Sequence, residues 1–210
     1  MNKKYKIPLI ILLVLIIVCV CLLIFKKFVY DKADKKPTVT SSIVDNMESY
    51  GYSLDDRDTK LYKNSYYELK NILDVEEIDY EKYGQKIAEL FVIDLFTISN
   101  KINKYDVGGL DFLYDSEKEM FKNKVMDTIY EDVEDNSYDT REQKLPTVST
   151  VEVVDVKDKK YELNEEKELD AYEYTLEIQY KEDLGYDEKA TVIVVKDDNK
   201  MYVAKYTAIN

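Results

Sequence analysis

The chain has 210 residues, 45% of them apolar and 35% charged, which leaves room for one ordinary globular domain beside a short apolar segment. It contains no histidine, which excludes a histidine general base, a Ser-His or Cys-His nucleophile pair and every zinc site that needs histidine. Its net charge of −13 argues against nucleic acid as a partner, because surplus carboxylates repel phosphate.

The first part of the chain is apolar and flanked by lysines. Residues 7–25, from Ile7 to Phe25, contain no charged side chain, and their length suits a helix that crosses a bilayer. The run is longer than the apolar part of a cleaved signal peptide, and no small-residue cleavage site follows it. We therefore predict one uncleaved transmembrane helix at residues 7–25, in the cell membrane. The short tail at residues 1–6 favours a cytoplasmic N-terminus and an extracytoplasmic C-terminal domain, with a cytoplasmic domain as the alternative.

Charge is unevenly distributed along the chain. Residues 1–36 contain eight lysines and two aspartates, whereas the remaining residues contain 22 basic and 41 acidic side chains. Both cysteines, Cys19 and Cys21, lie in the apolar run, so the rest of the chain has no disulfide and no thiolate ligand. We predict that this acidic part binds no cofactor, no metal ion and no nucleic acid.

Helical spacing dominates the first half of the acidic part. Residues 26–43 lack periodicity and are predicted as a linker, and residues 44–210 as one domain. Apolar residues recur every three or four positions in three segments, which predicts helices at about 59–73, 79–103 and 116–136. Asp79 is a suitable N-cap for the second helix, and Ser116 with Glu119 forms a capping box for the third. Residues 50–54 and 110–114 resemble short strands.

After residue 146 the apolar period changes to two. Polar residues alternate there with an apolar set, which is typical of a half-buried antiparallel strand: Tyr172, Tyr174, Leu176, Ile178 and Tyr180. Strands are predicted at about 148–156, 170–181, 190–196 and 201–208, the last two as a hairpin. Helices followed by a strand meander predict an α+β domain in which helices cover one face of an antiparallel sheet.

This order of elements resembles the cone-shaped nuclear-transport-factor-2-like, or cystatin-like, fold. With a membrane anchor in front, it is similar to the extracytoplasmic domains of bitopic scaffold subunits in type IV secretion and conjugation machines, a resemblance of architecture. The segments 50–63, 90–98 and 106–109 read YGYSLDDRDTKLYK, LFVIDLFTI and DVGG. They resemble uncharacterised membrane-anchored proteins of low-GC Gram-positive bacteria, over most of residues 44–210. That resemblance implies no particular activity.

Asp94 has the most demanding environment of the candidate residues. It lies inside the apolar segment 90–98, where an unpaired carboxylate would be costly to bury. One interpretation makes it an acid with a raised pKa in the pocket of the cone. The other is favoured because structural carboxylates outnumber catalytic ones. It gives Asp94 a structural partner: Lys101, Arg141 or backbone N–H groups near Gly108 and Gly109.

Two other polar clusters have weaker signals. Asp106, Gly108 and Gly109 could form a small nest for an anion or a peptide, although a tight turn explains the same residues better. Clustered carboxylates in the segments 55–58 and 197–200 lack the spacing of a calcium loop, so we predict solvated turns there.

Tyrosine is abundant, with 20 residues against no tryptophan. Tyr172, Tyr174 and Tyr180 are candidate interface residues, because a tyrosine ring buries area and keeps a polar tip. The simpler interpretation packs these rings under the helices.

The function predicted from these features is a membrane-anchored, extracytoplasmic interaction or assembly domain of a bacterial envelope complex, without catalysis. Its expected partners are the membrane and envelope proteins, and an oligomer is compatible with this role. The alternative is a small-ligand receptor or an enzyme that uses a pocket around Asp94. A ligand site predicts a pocket where polar groups converge on Asp94, whereas an assembly domain predicts a filled core and an exposed tyrosine-rich face.

Overall fold

The computed structural model describes residues 38–163 and 167–209, together with residues 18, 20, 22–24 and 26. The chain divides into two units, Met1–Thr38 and Val39–Asn210, and the elements named here belong to the second. In that unit helices precede a four-stranded antiparallel sheet, so the predicted α+β class is confirmed.

The predicted transmembrane helix is not supported. Most of residues 7–25 lie outside the described residues, including Ile7 and Phe25. A bilayer is crossed by one continuous apolar helix of about 20 residues. No helix among the described residues is long and apolar enough for this. The finding contradicts the predicted single-span anchor, and with it the membrane as a partner and the single-pass localisation.

Two short strands and three helices form the first half of the second unit. Strands β1 (Ile43–Met47) and β2 (Tyr52–Asp55) pair antiparallel, and β1 lies where the sequence predicted the end of the linker. Helix α1 (Lys60–Leu73) is capped by Thr59, and α2 (Tyr80–Phe96) by the expected Asp79, whose side chain accepts from Lys82 N. Helix α3 (Asp115–Met126) has Tyr114 at its N-cap position, without a side-chain cap.

Helices α2 and α3 are shorter than their apolar spacing predicts. Helix α2 ends at Phe96, and a short 3-10 helix (Ile98–Asn100) follows. The Arg141 guanidinium donates to the carbonyls of Ser99 at 2.8 Å and Lys101 at 3.0 Å, in place of helical N–H donors. Helix α3 gives way to turns, where the Thr128 hydroxyl donates to the Lys124 carbonyl at 2.7 Å. Residues 110–112 form a 3-10 helix rather than the expected strand.

The sheet contains β3 (Val148–Leu163), β4 (Lys167–Tyr180), β5 (Lys189–Asp197) and β6 (Lys200–Ala208), in that order. Strands β3 and β4 pair as far as Leu163 and Lys167, whereas β5 reaches β4 only between Ala171 and Glu177. The end of the β3–β4 hairpin therefore extends past β5. Residues 157–160 place charged side chains on both faces of β3, so this extension has no alternating apolar pattern in the sequence.

The larger of two hydrophobic clusters among the described residues lies between α2 and the sheet, and the smaller contains Leu169, Ala171 and Val195. To the larger cluster, helix α2 contributes Ile87, Leu90 and Phe91, and the sheet contributes Val192 and Val194, all of them fully buried. The C-terminal turn of α2 is buried in this larger cluster, and Asp94 is the polar residue of that turn. Asp94 faces the β2–α1 turn and the loop between residues 97 and 114.

Candidate functional site

The structure brings together all five residues that the sequence singled out as a candidate pocket or turn: Asp94, Lys101, Asp106, Gly108 and Gly109. They lie at or beside a cleft of about 220 Å³ at the C-terminal end of α2. Its other polar lining comes from the β2–α1 turn, Tyr62 of α1, Asn100 and Asp111. Segments far apart in the chain thus converge on Asp94. We call this the Asp94 cleft.

A buried ion pair forms the floor of the cleft. Lys101 Nζ lies 2.5 Å from Asp94 Oδ1, and the backbone N–H of Gly109 donates to Asp94 Oδ2 at 2.6 Å. Burial alone would lower the pKa of Lys101, but the Asp94 carboxylate outweighs it and raises that pKa above its ordinary value. Asp94 therefore has two of the structural partners expected for it, whereas Arg141 binds backbone carbonyls instead.

The two glycines let the 97–114 loop lie directly on α2. A Cβ atom at Gly108 would lie 2.2 Å from the Asp94 carbonyl oxygen, far inside contact distance. Gly109 has φ +83°, and a Cβ there would meet the Phe91 ring at 2.9 Å. Only glycine fits both positions without movement, and the close approach aims the Gly109 N–H at the Asp94 carboxylate.

Tyr130 joins the same loop to α2 by hydrogen bonds. Its hydroxyl donates to the Leu95 carbonyl at 2.7 Å and accepts from the Gly108 N–H at 3.4 Å. Tyr66 is equally buried, but its hydroxyl has no hydrogen-bond partner among the described residues.

These two tyrosines allow a matched test of how much the Tyr130 hydrogen bonds stabilise the domain. Tyr130→Phe is expected to lower the free energy of unfolding by about 1–2 kcal/mol, since it leaves a buried carbonyl without its donor. Tyr66→Phe is expected to leave it unchanged or to raise it, because the hydroxyl that is removed is buried without a hydrogen-bond partner among the described residues. Urea unfolding of the two variants measures the difference. Equal losses would show that the Tyr130 hydroxyl contributes nothing to the loop.

Arg57 organises one wall of the cleft. Its Nη1 donates to Asp106 Oδ2 at 2.7 Å and to the Asn100 carbonyl at 2.9 Å. Its Nε lies 3.3 Å from Asp55 Oδ1, close enough for an ion pair but at an angle that leaves the N–H without an acceptor. Burial would raise the pKa of Asp106, but the Arg57 guanidinium and the Ile102 N–H outweigh it and lower that pKa.

Two carboxylates of the cleft are not joined to a described cation at ion-pair distance. No ion pair of the described residues involves Asp58 or Asp111. Asp58 Oδ2 accepts from Asp55 N at 2.7 Å, and burial raises the pKa of Asp58 to about 6. Asp111 Oδ2 accepts from the backbone N of Ser53 at 3.0 Å and from its hydroxyl at 2.7 Å. The buried Oδ1 of Asn100 has no donor in the part of the chain that is described.

The charges of the cleft do not balance. Its lining holds five carboxylates, from Asp55, Asp58, Asp94, Asp106 and Asp111, and the two cations Arg57 and Lys101. Among the described residues no group of three or more potential ligands is arranged to hold a metal ion. The cleft therefore presents negative charge and hydrogen-bond acceptors to a ligand. Sequence reasoning missed Arg57, Asp58 and Asp111 as parts of this site, because residues 55–58 resemble a solvated turn and residues 110–114 resemble a short strand.

The candidate interface tyrosines lie mainly against the fold. Tyr174 is fully buried under α2, with its hydroxyl donating to the Glu81 carbonyl at 2.7 Å. Tyr172 and Tyr180 are half-buried, and the Tyr180 hydroxyl donates to the Asp187 carbonyl at 2.9 Å. Tyr174 cannot reach a partner in this position, and an interface through the other two rings stays a prediction.

The fold and site together define an α+β domain with a small, polar and negatively charged cleft. No protein-family model, no curated protein and no solved structure matches this chain. The resemblances seen in the sequence stay predictions, and the case for a function rests on the geometry of the cleft.

Proposed function

We propose that the α+β domain is a binding domain whose Asp94 cleft receives a small cation, an alkylammonium or a guanidinium group. The observation that carries this proposal is the pair of carboxylates that form no ion pair among the described residues, Asp58 and Asp111, in a cleft that also holds a buried amide oxygen without a donor. A charged N–H donor would neutralise the carboxylates and could satisfy the Asn100 Oδ1 atom.

The size of the cleft limits the ligand. A volume of about 220 Å³ is that of about seven water molecules, since each occupies ~30 Å³ in the liquid. Pockets for drug-sized molecules start at about 300 Å³. The cleft therefore suits one charged head group on a short carbon stem.

Binding without catalysis is the role that these contacts favour. Asp94 and Lys101, the deepest ionic groups, are hydrogen bonded to each other and not directed at an open position. The pKa of Asp58 would suit a general base, but the hydrogen bond that its side chain makes among the described residues is to the backbone N of Asp55, not to a nucleophile or a second acid-base side chain. An enzyme with a raised-pKa Asp58 is the competing candidate, and turnover of a bound amine would establish it.

The experiment is a calorimetric titration of the full chain with butylammonium chloride and with methylguanidinium chloride. Potassium chloride at the same ionic strength is the control for screening. Saturable heat with either organic cation, and none with potassium, is the expected result. Equal responses to all three salts would show that the cleft attracts counter-ions without selecting a ligand.

Asp58→Asn separates binding from stability. The variant is expected to weaken cation binding at pH 7 by about tenfold or more, because a charged partner is lost. It should also raise the melting temperature at pH 7, since burial makes the ionised carboxylate costly. The pKa of Asp58 is raised in the folded state, so the protonated form favours folding. The stability gain of Asn over Asp should therefore grow from pH 4 to pH 6.

The same pKa predicts how binding depends on pH. In the wild type, cation affinity should fall as the pH drops through about 6, because Asp58 then loses its charge. This dependence should disappear in Asp58→Asn. The exposed Asp132, outside the cleft, provides the matched control, and Asp132→Asn should retain both the affinity and its pH dependence. Normal binding by Asp58→Asn would contradict the proposed function.

A further inference from the structure

An apolar groove lies between α3 and β6, away from the Asp94 cleft. It has a volume of about 310 Å³, and its apolar lining consists of Phe91, Leu113, Met120, Phe121, Val203, Ala204 and Tyr206. Phe91, Leu113 and Val203 are buried and form the floor, whereas Met120 is 71% exposed. We call this the α3–β6 groove.

Folding alone does not explain the position of Met120. Helix α3 is held to the domain through the buried Val125 and through Phe121, whose ring centroid lies 5.7 Å from that of Phe91. Met120 is the most exposed large apolar side chain of the domain and lies beside an open apolar groove. Methionine is common on surfaces that bind peptides, because its flexible side chain adapts to the partner.

The groove also runs along a free sheet edge. Strand β6 is last in the order β3-β4-β5-β6, so its outer main-chain groups have no neighbouring strand among the described residues. The opposite edge, β3, has two register irregularities and the three lysines Lys157, Lys159 and Lys160, which hinder the addition of a strand. Between Val203 and Ala208, strand β6 carries one charged residue, Lys205, and one register irregularity, between Val203 and Lys205. It is the less protected of the two edges.

The charges around the groove differ from those of the chain as a whole. Lys124 and Lys205 line it, and neither forms an ion pair within the described residues. Glu117 is the one acidic residue of the lining. In a chain with a net charge of −13, two unpaired ammonium groups beside an apolar groove are complementary to a carboxylate of a partner.

We propose that the α3–β6 groove binds an extended segment of a partner protein, with apolar side chains alternating with acidic ones. The segment adds a strand to the free edge of β6 through main-chain hydrogen bonds. Its apolar side chains lie on Phe91, Phe121 and Met120, and a carboxylate lies between Lys124 and Lys205. This surface is separate from the Asp94 cleft, so the two proposals succeed or fail independently.

The test begins with selection of short random peptides on a display library against the full chain. Enriched peptides should alternate apolar and acidic residues. In fluorescence anisotropy, Met120→Glu and Lys205→Glu should each weaken the best peptide by about tenfold or more. Val75→Glu is the matched control, since Val75 is 52% exposed and lies outside the groove. It should bind as the wild type does.

Charge reversal gives the decisive comparison. A peptide whose acidic residues are changed to lysine should bind the Lys124→Glu/Lys205→Glu variant more tightly than it binds the wild type. No enrichment, enrichment of basic peptides, or binding that Met120→Glu leaves unchanged would overturn the proposal. Sedimentation velocity tests whether a second copy of this chain occupies the groove instead. Self-association that Met120→Glu abolishes would assign the groove to that second copy and would also overturn the proposal.

Discussion

The Asp94→Asn variant is expected to lose about 3 kcal/mol or more of unfolding free energy, because removing one partner of a buried ion pair leaves the other charge uncompensated. The asparagine oxygen can still accept from the Gly109 N–H, so the loss reports mainly on Lys101. That lysine side chain is only 8% exposed and cannot reach water without moving the loop. Chemical denaturation measures the loss.

A double-mutant cycle isolates the pair. Lys101→Met should be destabilising for the converse reason, because it leaves the Asp94 carboxylate with the Gly109 N–H alone. The double variant Asp94→Asn/Lys101→Met should be more stable than the sum of the two losses predicts, since neither charge is then left unpaired. In the same variants, the free energy of cation binding should change less than the free energy of unfolding does. Unchanged stability with lost binding would make Asp94 a ligand-binding residue and not a structural one.

Part of the Asp94 cleft could be predicted from the sequence, and the reason is physical. A carboxylate inside an apolar helix needs a hydrogen-bonding or charged partner. Asp94 and the donors near it can therefore be identified from the sequence alone. Asp58 and Asp111 carry no such signal. A carboxylate in a turn or a short surface segment has the same sequence pattern whether it faces water or another segment, and only the fold brings these two segments together.

The limits of the elements show the same distinction. The period-two pattern of β4 is correct because one face of that strand is buried under α2. The outer part of β3 has water on both faces, so no alternation marks it, and the strand is seven residues longer than the sequence predicts. Helix α2 ends at Phe96 although apolar spacing continues. The tertiary contacts of Lys101 and Arg141 redirect the chain at that point.

Gly108→Ala is expected to be among the most damaging single substitutions in the domain. The new Cβ would lie 2.2 Å from the Asp94 carbonyl oxygen and 2.5 Å from its carbonyl carbon, both of them backbone atoms of α2. Neither can move without shifting the helix or lifting the loop. We expect a loss of about 3 kcal/mol or more in unfolding free energy, at the upper end of what overpacking costs.

Gly185→Ala separates this crowding from the general effect of replacing glycine. Gly185 has φ +77°, but a Cβ there would meet nothing within 4 Å, so only the left-handed backbone opposes alanine, at a cost of about 1–2 kcal/mol. Urea unfolding should therefore rank Gly108→Ala well below Gly185→Ala in stability. Cation binding should also weaken in Gly108→Ala alone, because the loop that carries Asp106 and Asp111 is displaced. Equal losses for both glycines would mean that the loop does not lie on α2 as closely as the structure places it.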